Sequence, residues 1–380
     1  MDSIPILREL IAFPTVSTDS NIQMIDHLAE RLEHVGARVE VMVDPTGAKA
    51  NLFASLGPEV DGGILLSGHT DVVPVADQMW NSDPFEMTEF DGRLYGRGTC
   101  DMKGFIAACI AMAPQFAQAI GDRPLHFAFT HDEETGCIGA QHLVSALKAR
   151  GLTPAVAIIG EPTDMKIIEG HKGCHEYTTH FTGLEGHGSA PDRGVNAAEY
   201  ATRYVTRLMG LRPALRGRAP TPARFDPPET TINIGGIHGG VAHNVIVGRA
   251  HVDWEMRPVQ AGDADFIKSD LYDYCEDVLL PQMRAVAPQA DIRTEVVGEV
   301  VGLEPMDKNA ARDLVAELTG GNGAETVPFG TEAGLFQSMG MDVVVCGPGS
   351  IDQAHKPDEF LELSQLKLCE DMLTRLVTRL

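Results

Sequence analysis

Four short, almost wholly apolar runs constrain this chain more than any other feature: Ile64–Ser67 (ILLS), Leu125–Thr130 (LHFAFT), Ala155–Ile159 (AVAII) and Met341–Val345 (MDVVV). An apolar run without polar alternation marks a strand buried on both faces, which requires helices above and below a sheet. The segments between the runs supply those helices. Gly104–Phe116, Gly139–Ala149, Asn309–Leu318 and Leu363–Leu380 carry apolar residues at helical spacing. So do Ser3–Phe13, stopped by Pro14, and Asn21–Val35, ended by Gly36. Ala37–Val43 and Ala50–Leu56 read as two further strands. The alternation predicts an α/β fold, doubly wound around a mostly parallel sheet.

The alternation breaks after about Gly173 and resumes near Val300. Between them, Cys174–Thr182, Thr230–Gly235, Asn244–Met256 and Ile292–Val297 read as strands, with helices over Val195–Met209 and Ala264–Met283. Strand, helix, two strands, helix, strand is the order of a split βαβ, ferredoxin-like α+β module. A length of 380 residues calls for two or three domains. We therefore expect an α/β domain of residues 1–173 and 300–380, interrupted by an inserted domain of residues 174–299. Arg212–Pro228, rich in Pro and Arg, is expected to be a surface loop. The Arg-rich stretch from Arg203 to Arg224 is expected to be a solvated or subunit-contacting face.

Charge and cysteine usage exclude several classes. Asp plus Glu number 54 against 30 Lys plus Arg, a formal net charge of −24. Such a surface repels phosphate backbones and anionic membranes, so neither nucleic acid nor a membrane is an expected partner. No apolar stretch is long enough to span a bilayer. Seven scattered cysteines without a CxxC argue against a disulfide framework and for reduced thiols in a cytoplasm. Met1–Phe13 lacks a basic start and an apolar run and is not expected to be a signal peptide.

Open α/β sheets present ligands at the carboxyl ends of their strands, and the polar clusters fall there. ILLSG leads into His69-Thr70-Asp71, LHFAFT into His131-Asp132-Glu133-Glu134, AVAIIG into Glu161, and VVVCGPGS towards His355. Asp101 lies in a Gly-rich loop, Tyr95–Gly104, that opens a helix. Two His and several carboxylates recurring at one sheet edge point to a metal site. Imidazole with carboxylate, and no thiolate repeat, suits Zn²⁺, Co²⁺ or Mn²⁺. A carboxylate can bridge two ions. His69 and Asp71 point the same way in an extended segment, so Asp71 can orient the His69 ring. Glu133 and Glu134 diverge, so one can bind metal while its neighbour faces water as general base.

The motifs Ser67–Pro74 (SGHTDVVP), Trp80 with Asp83-Pro84-Phe85, Tyr95-Gly96-Arg97-Gly98 through Lys103-Gly104, Glu133-Glu134-Thr135-Gly136 and Gly160-Glu161-Pro162-Thr163 recur in order. This pattern resembles that of the co-catalytic zinc deacylase and carboxypeptidase family, and it spans nearly the whole chain. The resemblance implies two divalent metal ions, Zn²⁺ foremost. His69 and Glu161 would hold one, Glu134 and His355 the other, and Asp101 would bridge them. Glu133 would be the general base and Asp71 the orienter of His69. A cis peptide is expected after the bridging residue, at Asp101-Met102.

The resemblance extends to the inserted domain, which would serve as lid and dimerisation domain of a homodimer. His187, in Gly183–Pro191 (GLEGHGSAP), would help stabilise an oxyanion. Asn244 and Arg257 would bind the carboxylate of a small-molecule N-acyl amino acid. Within the family, Phe329–Gly334 and Cys346–Phe360 are most similar to members that deacetylate a diamino acid. On that basis Glu332 is expected to meet a cationic amino group, and Gly347 and Gly349 to let the backbone approach a ligand closely.

Overall fold

In the computed structural model of the protein, which describes residues 3–260 and 262–380, the four apolar runs are adjacent strands of one eight-stranded sheet. Met1, Asp2 and Ala261 fall in expected segments but lie outside the described residues. Leu125–Thr130, Ile64–His69, Val156–Pro162 and Asp342–Gly347 lie side by side, each parallel to the next. Antiparallel strands flank this parallel centre: Ala50–Leu56 and Arg38–Val43 on one side, Ile167–His171 on the other, with Ala324–Val327 at that edge. Every residue of Ile64–His69 and Leu125–Thr130 is buried, as strands covered on both faces require.

Gly104–Ala119 is apolar on nearly all sides because it packs against both the sheet and the C-terminal helix Leu363–Leu376. Helices Ile4–Ile11 and Ile22–His34 bury Leu7, Leu10, Ile25 and Leu28 in the same core. Each such side chain contributes about 1.5–3 kcal/mol by leaving water. The core thus fixes the strands whose ends carry the polar clusters.

The chain divides into two compact units. One runs up to Gly170 and resumes with Pro305–Thr326 and Thr331–Leu380; the other is His171–Glu304 with Val327–Gly330. These borders fall a few residues from the expected 173/174 and 299/300. The shift has a local cause: His171 N–H donates to Leu303 O at 3.0 Å and Gly173 N–H to Pro258 O at 2.8 Å, which tie both crossing strands to the second unit.

The second unit holds a four-stranded antiparallel sheet in the order Thr231–Gly239, Arg249–Arg257, Cys174–Thr182, Asp291–Val300. Its helices Ala197–Gly217 and Asp263–Tyr274 cover one face, burying Tyr204, Leu208, Ile267 and Leu271 with Phe181 and Trp254. Cys174–Thr182 alternates inward and outward as its sequence predicts. One expectation fails here. The segment from Arg212 is helix up to Gly217, despite Pro213. Leu208, Leu211 and Leu215 keep the helical spacing and are buried, which outweighs the loop-like composition. Several arginines of this stretch bond within the unit: Arg207 to Asp270 at 2.6 Å, Arg218 to Asp263 at 2.8 Å and Arg212 to Ile232 O at 3.2 Å.

Candidate metal centre

Parallel strands end on one edge, and the polar clusters meet there. His69 is the last residue of its strand, Glu161 lies near the end of Val156–Pro162, and Glu133 and Glu134 sit in the turn after Thr130. Asp101 stands in the tight turn Thr99–Lys103 that opens the buried helix. The expected cis bond is present at Asp101-Met102.

Asp101 faces both histidines. Its Oδ1 lies 3.0 Å from His69 Nε2 and its Oδ2 3.4 Å from His355 Nε2. His69 Nε2 is also 3.5 Å from Glu161 Oε1, and His355 Nε2 is 3.0 Å from Glu134 Oε2. Ligand atoms of His69, Glu133 and Glu161 lie within 4.8 Å of one another, as do those of His69, Asp101 and Glu134. His69, Asp101 and Glu161 are buried, whereas His355 is about half exposed. The six side chains that the sequence assigns to metal and base therefore converge.

The acids perturb one another. Burial, assisted by Asp101, pushes the Glu161 carboxyl well above the usual carboxylate range. Burial, with the charges of Glu134, Asp101 and Asp71 and against that of His69, pushes Glu133 up to about 8. Burial also raises Glu134. Burial opposes the charge on His69, yet Glu161, Asp101 and Asp71 hold it well above the usual imidazole range. Hydrogen bonds to Asp101 and Glu134 lift His355 to about 10. Asp101 is drawn down despite burial, by its bonds to His355 and His69.

These residues fit divalent cations. The Glu161 Oε1 atom is buried with no hydrogen-bond partner, and a buried acceptor without a donor is costly. Five carboxylates, counting Asp71, face two imidazoles, so cationic charge is what the cluster lacks. The donor set of nitrogen and oxygen matches Zn²⁺, Co²⁺ and Mn²⁺.

The surrounding shell is only partly as expected. His69 Nδ1 lies 2.9 Å from the Asp71 backbone oxygen and 3.6 Å from the Asp71 carboxylate. That carboxylate instead accepts from Ser17 Oγ at 2.8 Å and from the N–H groups of Glu133 at 3.1 Å and Glu134 at 3.3 Å. Asp71 thus positions the turn that carries both glutamates.

A residue without a role in the sequence reading proves central to the Asp101 turn. Glu359 is buried, pairs with Arg97 Nη1 at 2.6 Å, and accepts from the N–H groups of Gly98 at 3.1 Å, Cys100 at 2.9 Å and Asp101 at 3.0 Å. Its place four residues after His355, inside the same motif, was the available signal.

Three further residues expected at the ligand have close protein contacts. Glu332 is fully buried; its oxygens accept from Ser67 Oγ at 2.6 Å and Thr130 Oγ1 at 2.7 Å, so it braces the two strands. At Gly347 a Cβ would lie 2.0 Å from Gly160 O on the paired strand. Gly349, at φ +91°, would likewise place a Cβ 2.5 Å from Cys100 Sγ.

His187, Asn244 and Arg257 belong to the second unit. His187 pairs with Val245 in a short ladder and Gly188 N–H donates to Asn244 O at 2.7 Å, so His187 and Asn244 are near neighbours. Arg257 ends its strand with Nη2 2.7 Å from Glu255 Oε2.

A parallel sheet gathers at its carboxyl edge a set of imidazoles and carboxylates that could hold metal ions. The profile of peptidase family M20/M25/M40 matches residues 65–379, and the chain belongs to that family. Among its relatives, an acetylornithine deacetylase of Photorhabdus laumondii is 37% identical over 98% of this chain and 96% of its own. One of Proteus mirabilis is 38% identical over 98% of this chain and 95% of its own. Among solved structures, a Bacillus subtilis protein described as a dinuclear metal-binding peptidase of the family shares the fold. Its TM-score is 0.65 at 16% identity, covering 99% of this chain and 97% of that one.

Proposed function

We propose that the protein hydrolyses N²-acetyl-L-ornithine to L-ornithine and acetate, with two divalent ions, Zn²⁺ foremost and Co²⁺ or Mn²⁺ as alternatives. The two-ion reading is carried by Asp101, whose two oxygens face His69 and His355 separately. His69 and Glu161 would hold one ion, Glu134 and His355 the other, with Asp101 between them. The substrate reading is supported by the two deacetylases similar over nearly the full chain. The ornithine released would serve arginine synthesis.

When bound, the ions lower the pKa of a water and polarise the acyl carbonyl. The chain's own residues do the rest. Glu133, free of metal duty in this assignment, takes a proton from the attacking water and returns it to the leaving amine. His187, from the same or a partner subunit of a homodimer, stabilises the oxyanion. Asn244 and Arg257 hold the α-carboxylate, Arg257 exchanging its Glu255 partner for the substrate.

The test is acetate release by metal-stripped protein before and after adding Zn²⁺ or Co²⁺. Succinyl-diaminopimelate and N-acetylmethionine are assayed alongside N²-acetylornithine. Metal-restored turnover highest on N²-acetylornithine is the expected result. Metal-restored turnover highest on another substrate would keep the chemistry and overturn the substrate. No turnover on any of the three with ions bound would overturn the deacetylase reading.

A further inference from the structure

The open face of the inserted unit's sheet carries a cluster that the catalytic reading leaves unused. We propose that His238, His251 and Asp253 form a separate binding site for a divalent transition-metal ion. His238 Nε2 lies 3.4 Å and His251 Nε2 3.9 Å from the same oxygen, Asp253 Oδ2. Ligand atoms of the three groups lie within 4.8 Å of one another. A tetrahedral ion with bonds of about 2.0–2.2 Å draws its ligand atoms to roughly 3.3–3.6 Å, so small rotamer adjustments close the shell. Two imidazoles and a carboxylate are a zinc, copper or nickel donor set.

The backbone builds this arrangement. His238 and His251 are directly opposed in the ladder between Thr231–Gly239 and Arg249–Arg257. Their rings stack at 4.6 Å between centroids and 22° between planes. The bulge between Ile234 and Gly236 sets that register, with Gly236 opposite Asp253. A Cβ at Gly236 would lie 2.5 Å from His238 Nε2, so glycine leaves the space into which the imidazole turns. On the next strand, Thr178 Oγ1 lies 2.8 Å from Asp253 Oδ1 and orients the carboxylate so that Oδ2 faces both histidines. A nearby third imidazole, His180, turns instead to Glu295 Oε2 at 3.4 Å.

Charge and access agree with a cation. The side chains of His238, His251 and Asp253 are 57%, 42% and 42% exposed, which leaves the remaining coordination positions to water. Arg249 and Arg293 line the same cleft, offset by Asp291 and Glu295. An ion there would clamp the edge strand Thr231–Gly239 to its neighbour.

The test is equilibrium dialysis of the full chain against Zn²⁺ at neutral pH, with bound ions counted by mass spectrometry. Single variants His238→Ala, His251→Ala and Asp253→Asn should each bind one ion fewer per chain than the parent. The double variant His238→Ala/His251→Ala should lose no more than that one. Hydrolytic turnover and far-ultraviolet dichroism should be unchanged, which separates this site from the catalytic one. His180→Ala, on the same face, should keep the full complement. Equal stoichiometry in parent and variants would overturn the proposal. Loss of an ion in His180→Ala would overturn the three-ligand assignment.

Discussion

Replacing Glu359 by Ala tests how the loop bearing Asp101 is held. The Glu359 and Arg97 side chains are each 1% exposed and pair at 2.6 Å. Removing one partner of a buried pair costs about 3–5 kcal/mol, because the other charge stays buried. Arg97 keeps two partners, Gln78 Oε1 at 2.7 Å and the Trp80 ring at 5.1 Å, which places the loss near the lower figure. The freed N–H groups of Gly98, Cys100 and Asp101 add to it. A buried donor left without an acceptor costs about 1–3 kcal/mol, reduced where water enters the space vacated. The pair alone sets a floor of about 3 kcal/mol, which the three amides raise by up to about 9 kcal/mol where water does not reach them. At about 2–4 °C per kcal/mol for a domain of this size, even the lower figure lowers Tm by roughly 6–12 °C. Calorimetric melting of parent, Glu359→Ala and Glu359→Gln measures it. Gln keeps an acceptor for the amides but not the charge, so its melt should fall between the other two. An Ala variant melting within about 2 °C of the parent would refute the bracing role, since that shift corresponds to less than about 1 kcal/mol.

Glu133→Ala should lower kcat by about 10²–10⁴-fold, the usual share of a general base, while ion stoichiometry by mass spectrometry stays at the parental value; an active variant would remove Glu133 from that role. Glu332→Gln should lower stability by about 1–3 kcal/mol, as expected for disturbing buried hydrogen bonds. It should leave the ratio of kcat/KM for N²-acetylornithine and N-acetylmethionine unchanged, whereas a tenfold change in that ratio would return Glu332 to the substrate. Burial holds His126 down to about 4 from 6.5, with Nδ1 2.7 Å from Ser55 Oγ. The neutral ring gains its proton on unfolding, so its contribution is whole above pH 6.5 and drains as pH falls towards 4, by about 1.4 kcal/mol per pH unit at most. Tm measured across that window should fall less steeply in His126→Gln, and superimposable curves would contradict the shift.

What was legible in the sequence follows from what each residue answers to. The parallel centre announces itself because burial on both faces removes the polar alternation from Ile64–His69 and Leu125–Thr130. Ile167–His171 went unread because its apolar start is short and is followed at once by Glu169, buried beside Arg312 at 2.9 Å. Ala324–Val327, a partly exposed edge strand of four residues, carries no such pattern. The helix to Gly217 was obscured by composition: the arginines read as loop, while Leu208, Leu211 and Leu215 kept the period. The converging His and carboxylate side chains are legible because strand ends place them in order. Glu359 was not, because most of its bonds go to backbone N–H groups, and a backbone donor leaves no mark in the side-chain code. The bracing partners of Glu332, Ser67 and Thr130, are also illegible, because they are common hydroxyls remote in sequence.

The interrupted layout also explains why the site needs both ends of the first unit. Four of the five assigned ligands, His69, Asp101, Glu134 and Glu161, precede the insertion at His171–Glu304, and His355 follows it. The same late segment that delivers His355 to Glu134 also delivers Glu359 to the amides of the Asp101 turn. One stretch of chain therefore supplies a ligand and fixes the residue assigned between the ions. The positive φ of 64° at His355 lies in that stretch, in the connection between Asp342–Gly347 and Phe360–Glu362. All five assigned ligands and the assigned base lie in the first unit, whereas His187, Asn244 and Arg257 lie in the second. On this assignment the residues that would hold the ions all belong to the first unit, and those that would meet the substrate carboxylate belong to the second.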